Sequence, residues 1–367
     1  MEKEQLVYKL ALAMVPGIGA GTARALMARF QTAEKIFKSS RRELVLIPGI
    51  GTTLADRILR FNSFARVEEE IRFTERDHIG IRFLFDEEYP PLLSNCPDAP
   101  IIIFFKGRLP DKGQRTLSIV GTRHPTVRGK EITKNIVREI AEQDPSVIII
   151  SGLAYGIDIQ AHIAALDSGL QTIAVLGHGF HTLYPAIHRD TARRITTQGG
   201  LITDFFSHNL MEPKNFIRRN RIIAGLAEAT LVIESGIKGG AIVTAEMAVS
   251  YDRDLYSVPG RPDDGMSKGS NYLIRSSQAT LVQSGEELMI SAGWLKKQVS
   301  RQNSQPELFT TLEPDEKKVF DMIGTVPSSL DQVSRETNLP VQMVSAIALS
   351  LEFKGLIHGL PGQQYFR

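Results

Sequence analysis

The stretch Lys214-Asn215-Phe216-Ile217-Arg218-Arg219-Asn220-Arg221 carries four basic side chains, one aromatic ring and no acid. In such a run the cations follow a phosphate backbone while the ring stacks on a base, the chemistry of single-stranded nucleic acid binding. Lys214, Phe216, Arg219, Asn220 and Arg221 are therefore candidate contacts. Taken alone, the pattern also describes a solvated helix face with Phe216 turned toward a core. Five glycine-rich or basic loops shift the balance: Gly121-Thr122-Arg123, residues 151–158, Gly177-His178-Gly179-Phe180, Gly236-Ile237-Lys238-Gly239-Gly240, and Pro259-Gly260-Arg261. Each follows an apolar, β-rich run. Glycine lets a backbone approach a ligand closely, and clustered N–H groups with helix starts cradle anions. Gly121, Arg123, Lys238, Gly239 and Gly240 join the candidates. No Gly-x-Gly-x-x-Gly fingerprint follows the early strands, and Lys238 precedes glycines rather than the Ser or Thr of a P-loop, so the ligand is expected to be a polynucleotide.

Some side chains could instead serve catalysis. His162 can be read as a general base with Asp158, although a packed or hydrogen-bonded histidine beside the loop is the favoured reading. Glu246, in Lys238-Gly239-Gly240-Ala241-Ile242-Val243-Thr244-Ala245-Glu246, faintly resembles the acid of nucleotide-cleaving Rossmann-like enzymes of the cytokinin-activating and lysine-decarboxylase-like group. A nucleotide hydrolase of that kind is the alternative function. His178, His181 and His188 cluster without cysteines or carboxylates at metal-ligand spacing, and no Gly-x-Ser-x-Gly elbow surrounds Ser151 or Ser235. A binding protein without enzyme activity, cofactor or metal is the expectation.

The elements that must position these residues follow from periodicity. Apolar or β-rich runs fall at 82–85, 101–106, 117–120, 147–150, 172–176, 201–204, 231–234 and 255–258, with helical patterns such as 128–142 and 158–168 between most of them. Continuous apolar runs such as Val147-Ile148-Ile149-Ile150 suit strands covered on both faces. Strand–helix alternation of this kind predicts a Rossmann-like, doubly wound, mostly parallel sheet over residues 69–298, with ligands outside the carboxyl ends of the strands. Ahead of it, residues 1–68 contain a repeat: Val15-Pro16-Gly17-Ile18-Gly19 recurs as Ile47-Pro48-Gly49-Ile50-Gly51, each before a helical stretch. This predicts tandem helix-hairpin-helix motifs, related to sterile-alpha-motif-like modules, whose turns either meet DNA phosphates or pack the helices together. A polar linker, 299–311, leads to residues 312–367, read as three helices and a two-stranded wing. The third helix of that winged-helix domain has a single basic residue at its end, which disfavours base reading and leaves a protein contact or plain packing.

The chain has 367 residues, 42% hydrophobic and 23% charged, with a net charge of +2. Nucleic-acid affinity must then come from local clustering of charge. Cys96 stands alone, so no internal disulfide forms, which fits a reducing compartment. The apolar N-terminal stretch is too short, and its start too acidic, for a signal peptide, and no segment approaches a membrane span. A cytoplasmic location is expected.

The order Gly-Thr-Arg, Ser-Gly-Leu-Ala-x-Gly-Ile-Asp-x-x-Ala-His, Ala-Val-Leu-Gly-x-Gly, Tyr-Pro, Phe-x-x-Arg-Asn-Arg-Ile-Ile-Ala-Gly-Leu, Gly-Gly-Ala-x-x-Thr-Ala and Val-Pro-Gly resembles the DNA-processing protein A (DprA/Smf) family over residues 80–285. The resemblance implies sequence-independent binding and protection of single-stranded DNA, delivery to the RecA recombinase in natural transformation or recombination, and a homodimer. It places the DNA site on Gly121 and Arg123, on Lys214, Phe216, Arg219, Asn220 and Arg221, and on Lys238. Thr122 stands where the family commonly has Ser, and the glycine loop has Lys238-Gly239-Gly240-Ala241 where Ser-Gly-Ser-Leu is frequent. The added lysine is expected to strengthen phosphate binding.

Overall fold

A computed structural model of the chain describes residues 2–295, 312–360 and 362–367. The expected linker at 299–311 lies outside the described residues. Two compact units divide the chain between Lys296 and Lys297.

In the first unit, six helices precede the sheet. The two Pro-Gly-Ile-Gly repeats form the turns before helices Ala20–Phe30 and Thr52–Leu59. Gly17 and Gly49 take φ of +94° and +84°, a left-handed conformation that only glycine adopts without strain. The two hairpins interlock, because Arg57 donates to the Pro16 carbonyl at 3.2 Å. The last of these helices, Phe64–Arg76, runs through the boundary expected at residue 68. Its Glu70 carboxylate is buried, pairs with Arg66 at 2.5 Å, and accepts from the Ser207 N–H and hydroxyl at 2.8 and 2.6 Å. Leu10, Leu26, Ile36, Leu44 and Ile58 share one core with Phe83, Ile102, Phe104 and Phe206 of the sheet region. The helical region is therefore packed into the unit and is not a separate bead.

The sheet comprises β1 (Gly80–Phe83), β2 (Ile102–Gly107), β3 (Thr116–Val120), β4 (Ile148–Ser151), β5 (Thr172–Val175), β6 (Gly200–Thr203), β7 (Ala229–Val232), β8 (Asp254–Ser257) and β9 (Thr280–Leu281). Their order is β1-β2-β6-β5-β4-β3-β7-β8-β9. Pairing is parallel from β6 through β9, and β2 is antiparallel to both of its neighbours. Alternate side chains serve the two faces. Leu117, Ile119 and Ile149 pack with Ile136, Ile140 and Ala161 on one side, while Val120, Ile148 and Ile150 pack with Ile222, Ile223 and Ala245 on the other. The chain leaves β3 for β4 on one side and returns as β7 on the other, which opens a crevice at the carboxyl ends of these three strands.

In the second unit, helices Pro314–Met322, Leu330–Thr337 and Val341–Phe353 enclose Val319, Val333, Val344, Ala348 and Leu351. The wing has three strands rather than two: His358–Leu360 and a short Ser328–Ser329 both pair with Gln364–Phe366. Two-residue strands carry no readable alternation. Lys354, which follows the third helix, is held by Glu316 at 2.6 Å.

Candidate nucleic-acid interface

The crevice at the switch point is a cavity of about 630 Å³. Three of the five expected loops line it, through Gly121-Thr122-Arg123, Ala154-Tyr155 and Ser235–Gly240. The loops at 177–180 and 259–261 do not line it. Gly177, in the first of these, packs behind it, since a Cβ there would meet the Phe216 ring at 2.8 Å.

Each of the three loops that line the cavity leads into a helix, and the three N-termini differ. The first, Val127–Gln143, is closed by the buried Glu234, whose carboxylate accepts from the Thr126 N–H at 2.9 Å and hydroxyl at 2.5 Å. The second, Ile157–Asp167, carries the buried Asp158 in its own first turn. Only the third, Gly240–Ser250, begins at a glycine, Gly239, with no side-chain cap and no acid in its first turn. Its N–H groups and positive dipole end are left for an anion. Arg123 and Lys238 are exposed at the cavity and have no ion-pair partner among the described residues.

Two aromatic rings, Phe216 and Tyr155, line the same cavity, and sequence reasoning found only the first. Phe216 packs edge-on to Tyr184 at 5.5 Å, and Tyr184 edge-on to Tyr155 at 6.4 Å. Tyr155 occupies the unspecified position in Ser-Gly-Leu-Ala-x-Gly, so motif matching passed over it. The loop that carries Tyr155 is held in an unusual conformation. Leu153, fully buried, has φ of +57°, and Gly156 has φ of +88°. His188 pins this loop by donating from Nδ1 to the Leu153 carbonyl at 2.8 Å. His178 similarly bonds the Gly179 carbonyl and accepts from the Tyr184 N–H. These histidines hold loops, and no group of three or more metal-ligating side chains occurs among the described residues.

The basic run does not act as one surface. Phe216, Arg219 and Asn220 line the cavity, and Asn220 reaches the Gly240 carbonyl at 3.4 Å. Arg219 departs from expectation. It is buried at 3% exposure, with Nη1 donating to the Gly152 carbonyl at 2.5 Å and to the Val175 carbonyl, and Nε donating to Asn220 Oδ1. Burial lowers its pKa to about 10, partly offset by Asp158, so it remains a cation at neutral pH. Burial raises the pKa of Asp158, with Arg219 opposing the shift. Arg219 therefore braces the floor beneath the loops instead of presenting a free phosphate clamp. Arg221 points away from the cavity, to Asp204 at 2.6 Å, and Lys214 is exposed outside it, paired with Glu212 at 2.6 Å.

The catalytic alternatives lose their geometry. His162 is fully buried and bonds Thr172, not Asp158, and burial followed by the nearby positive charge of Arg219 pushes its pKa down to about 3. Glu246 is exposed on its helix and does not line the cavity.

The family model described as DNA recombination-mediator protein A matches residues 80–293, more than half of the chain. The chain belongs to this family. A SAM-like helix-hairpin-helix tandem matches residues 9–61, and a DprA winged helix domain matches 303–363. Family members similar to this chain include Protein Smf of Synechocystis, 32% identical with all of both chains covered. Protein Smf of Escherichia coli is 31% identical over 90% of this chain and 89% of its own. Among solved structures, DNA processing protein A of Streptococcus pneumoniae superposes with a TM-score of 0.65 at 26% identity, covering 77% of this chain and 96% of that one. DNA processing protein A of Helicobacter pylori, described for its single-stranded DNA binding mode, shares the fold at 24% identity and a TM-score of 0.51, covering 58% of this chain and 94% of that one. No helix among the described residues is long and apolar enough to cross a membrane.

Proposed function

We propose that the cavity at the β3–β7 switch point binds single-stranded DNA without sequence preference. One observation carries this reading: the uncapped start of helix Gly240–Ser250, exposed Arg123 and Lys238, and the rings of Phe216 and Tyr155 all line one crevice. Gly121, Gly239 and Gly240 let backbone N–H groups approach successive phosphates, while Phe216 and Tyr155 offer π-faces that accept any base. Arg219 and Asn220 serve this site from below, by fixing the loops that form it.

Further steps follow from the kinship with recombination mediators. The bound strand is protected and passed to RecA recombinase in the cytoplasm, and a homodimer brings two strand-bearing sites together. Neither step needs bond breaking.

The test is anisotropy of a fluorescent oligothymidylate against a duplex of equal length, over a salt series. Wild type is expected to prefer the single strand, and Phe216→Ala to lose about 1–3 kcal/mol of affinity. Arg123→Gln and Lys238→Gln should each reduce the salt slope by about 0.7. Equal binding of single strand and duplex, or unchanged slopes in both variants, refutes the reading.

A further inference from the structure

The Tyr-Pro motif has no part in the cavity. Tyr184 and Pro185 do not line it, yet Tyr184 touches two rings that do. Resting on the single-strand reading, we infer that Tyr184 and Arg189 form one further nucleotide position just outside the cavity. The strand then leaves the cavity past Tyr155 and along the turn Ala186–His188.

The surroundings of Tyr184 carry this inference. Its ring stands edge-on to Phe216 at 5.5 Å and to Tyr155 at 6.4 Å, and 39% of the residue is still exposed. Tyr155 in turn meets the His188 ring at 5.2 Å, so the turn Ala186–His188 flanks the same cluster. On that turn Ile187 is 77% exposed and extends the apolar surface. Arg189, the next residue after the turn, is exposed and has no ion-pair partner among the described residues. Its acidic neighbour Asp190 pairs instead with Arg193, at 3.3 Å.

An exposed tyrosine is common in itself. This one is held in place. The buried His178 donates from Nδ1 to the Gly179 carbonyl at 2.9 Å, and its Nε2 therefore accepts from the Tyr184 N–H, at 3.1 Å. With its backbone tied and its ring wedged between two others, Tyr184 has little freedom left to lose on binding. A fixed ring beside an unpaired cation suits one unit of a single strand, the base stacking on the ring and the phosphate meeting the cation. Neither contact reads base identity, so the position keeps the sequence independence of the main site.

The test compares two ligands on the full-length protein: a thymidine dinucleotide, titrated by calorimetry, and a long oligothymidylate, titrated by anisotropy. The dinucleotide is short enough to sit within the cavity, whereas the long strand reaches Tyr184. Loss of one stacked base weakens binding about tenfold. In Tyr184→Leu the ratio of long-strand to dinucleotide affinity is therefore expected to fall by about that factor, and in Tyr184→Phe to keep its wild-type value. Phe216→Ala should weaken both ligands and leave the ratio standing. Arg189→Gln should reduce the salt slope of the long strand by about 0.7. An unchanged ratio in Tyr184→Leu means that the ring only props Phe216, and it overturns the further position. An unchanged long-strand slope in Arg189→Gln overturns it as well, and decides alone if a thermal melt shows Tyr184→Leu to be unfolded. A wild type that binds neither ligand, or a Phe216→Ala variant that binds both as wild type does, strikes the single-strand reading itself.

Discussion

His162 offers a direct measure of how tightly the floor of the site is sealed. Its ring is fully buried, and Nδ1 lies 2.7 Å from the Thr172 hydroxyl, which itself donates to the Ile149 carbonyl at 2.8 Å. The hydroxyl proton is thus spoken for, so Nδ1–H must donate and Nε2 is the bare nitrogen, which has no partner. Protonation would place a charge on Nε2 in an apolar interior that already holds Arg219. The pKa accordingly falls from 6.5 to about 3. An unfolded chain takes up this proton as the pH drops through 6.5, whereas the folded one does so only near 3. Stability contributed by the neutral ring is therefore complete above the unfolded value and is lost as the pH falls through the window between them. At about pH 5, roughly 1.5 units into that window, the loss amounts to about 2 kcal/mol relative to about pH 7.5. Urea unfolding at those two pH values, for wild type and His162→Gln, isolates the effect, because only the difference between the two pH dependences is read. Wild type should lose about 2 kcal/mol more than the variant over this interval. Parallel losses would refute the depressed pKa and reopen His162 as a residue that can accept a proton near neutrality.

Arg219→Gln should destabilise the protein by about 3–5 kcal/mol, since it strands the buried Asp158 without its cation and leaves the Gly152 and Val175 carbonyls unbonded. Lys238→Gln should stay within about 0.5 kcal/mol of wild type, and a chemical denaturation series that ranks the two equally would contradict the bracing role. Gly156→Ala should weaken both stability and strand binding: its φ of +88° is unsuited to alanine, and the added methyl would strike the Thr122 carbonyl and the backbone of Arg123. The strain is about 1–3 kcal/mol, and wild-type behaviour in both melting and anisotropy would sink this assignment.

Much of the fold was legible because buried strands in an α/β sheet write continuous apolar runs. Val147 and Ile148-Ile149-Ile150 are fully buried, as the run predicts, and the predicted β-rich segments fall on β1–β8. The strand β9, at two residues, is too short to leave a pattern. The boundary at residue 68 failed for a different reason. Helix Phe64–Arg76 is rich in charge, and its tie to the sheet region is the buried Glu70, a residue type that composition assigns to solvent. Within the site, glycine loops and the Lys238 loop were legible from residue type. The partition of the basic run was not. At 3.6 residues per turn, Arg218 and Arg221 lie opposite Phe216, Arg219 and Asn220, but which face meets the cavity depends on Asp204 and Gly152, distant in sequence. Burial of Arg219 likewise depends on carbonyls contributed by Gly152 and Val175.

The shared core of the hairpin helices and the sheet bears on how this protein tolerates cutting. Severing the chain at residue 68 would bisect helix Phe64–Arg76 and separate Glu70 from Arg66. The remainder would present Phe83, Ile102, Phe104 and Phe206, now covered by the hairpin helices, as one contiguous apolar face. A face of that kind invites association with other copies. Shortened forms beginning after the hairpins are thus apt to read as oligomers for reasons unrelated to any native dimer, and only the intact unit reports the assembly state honestly.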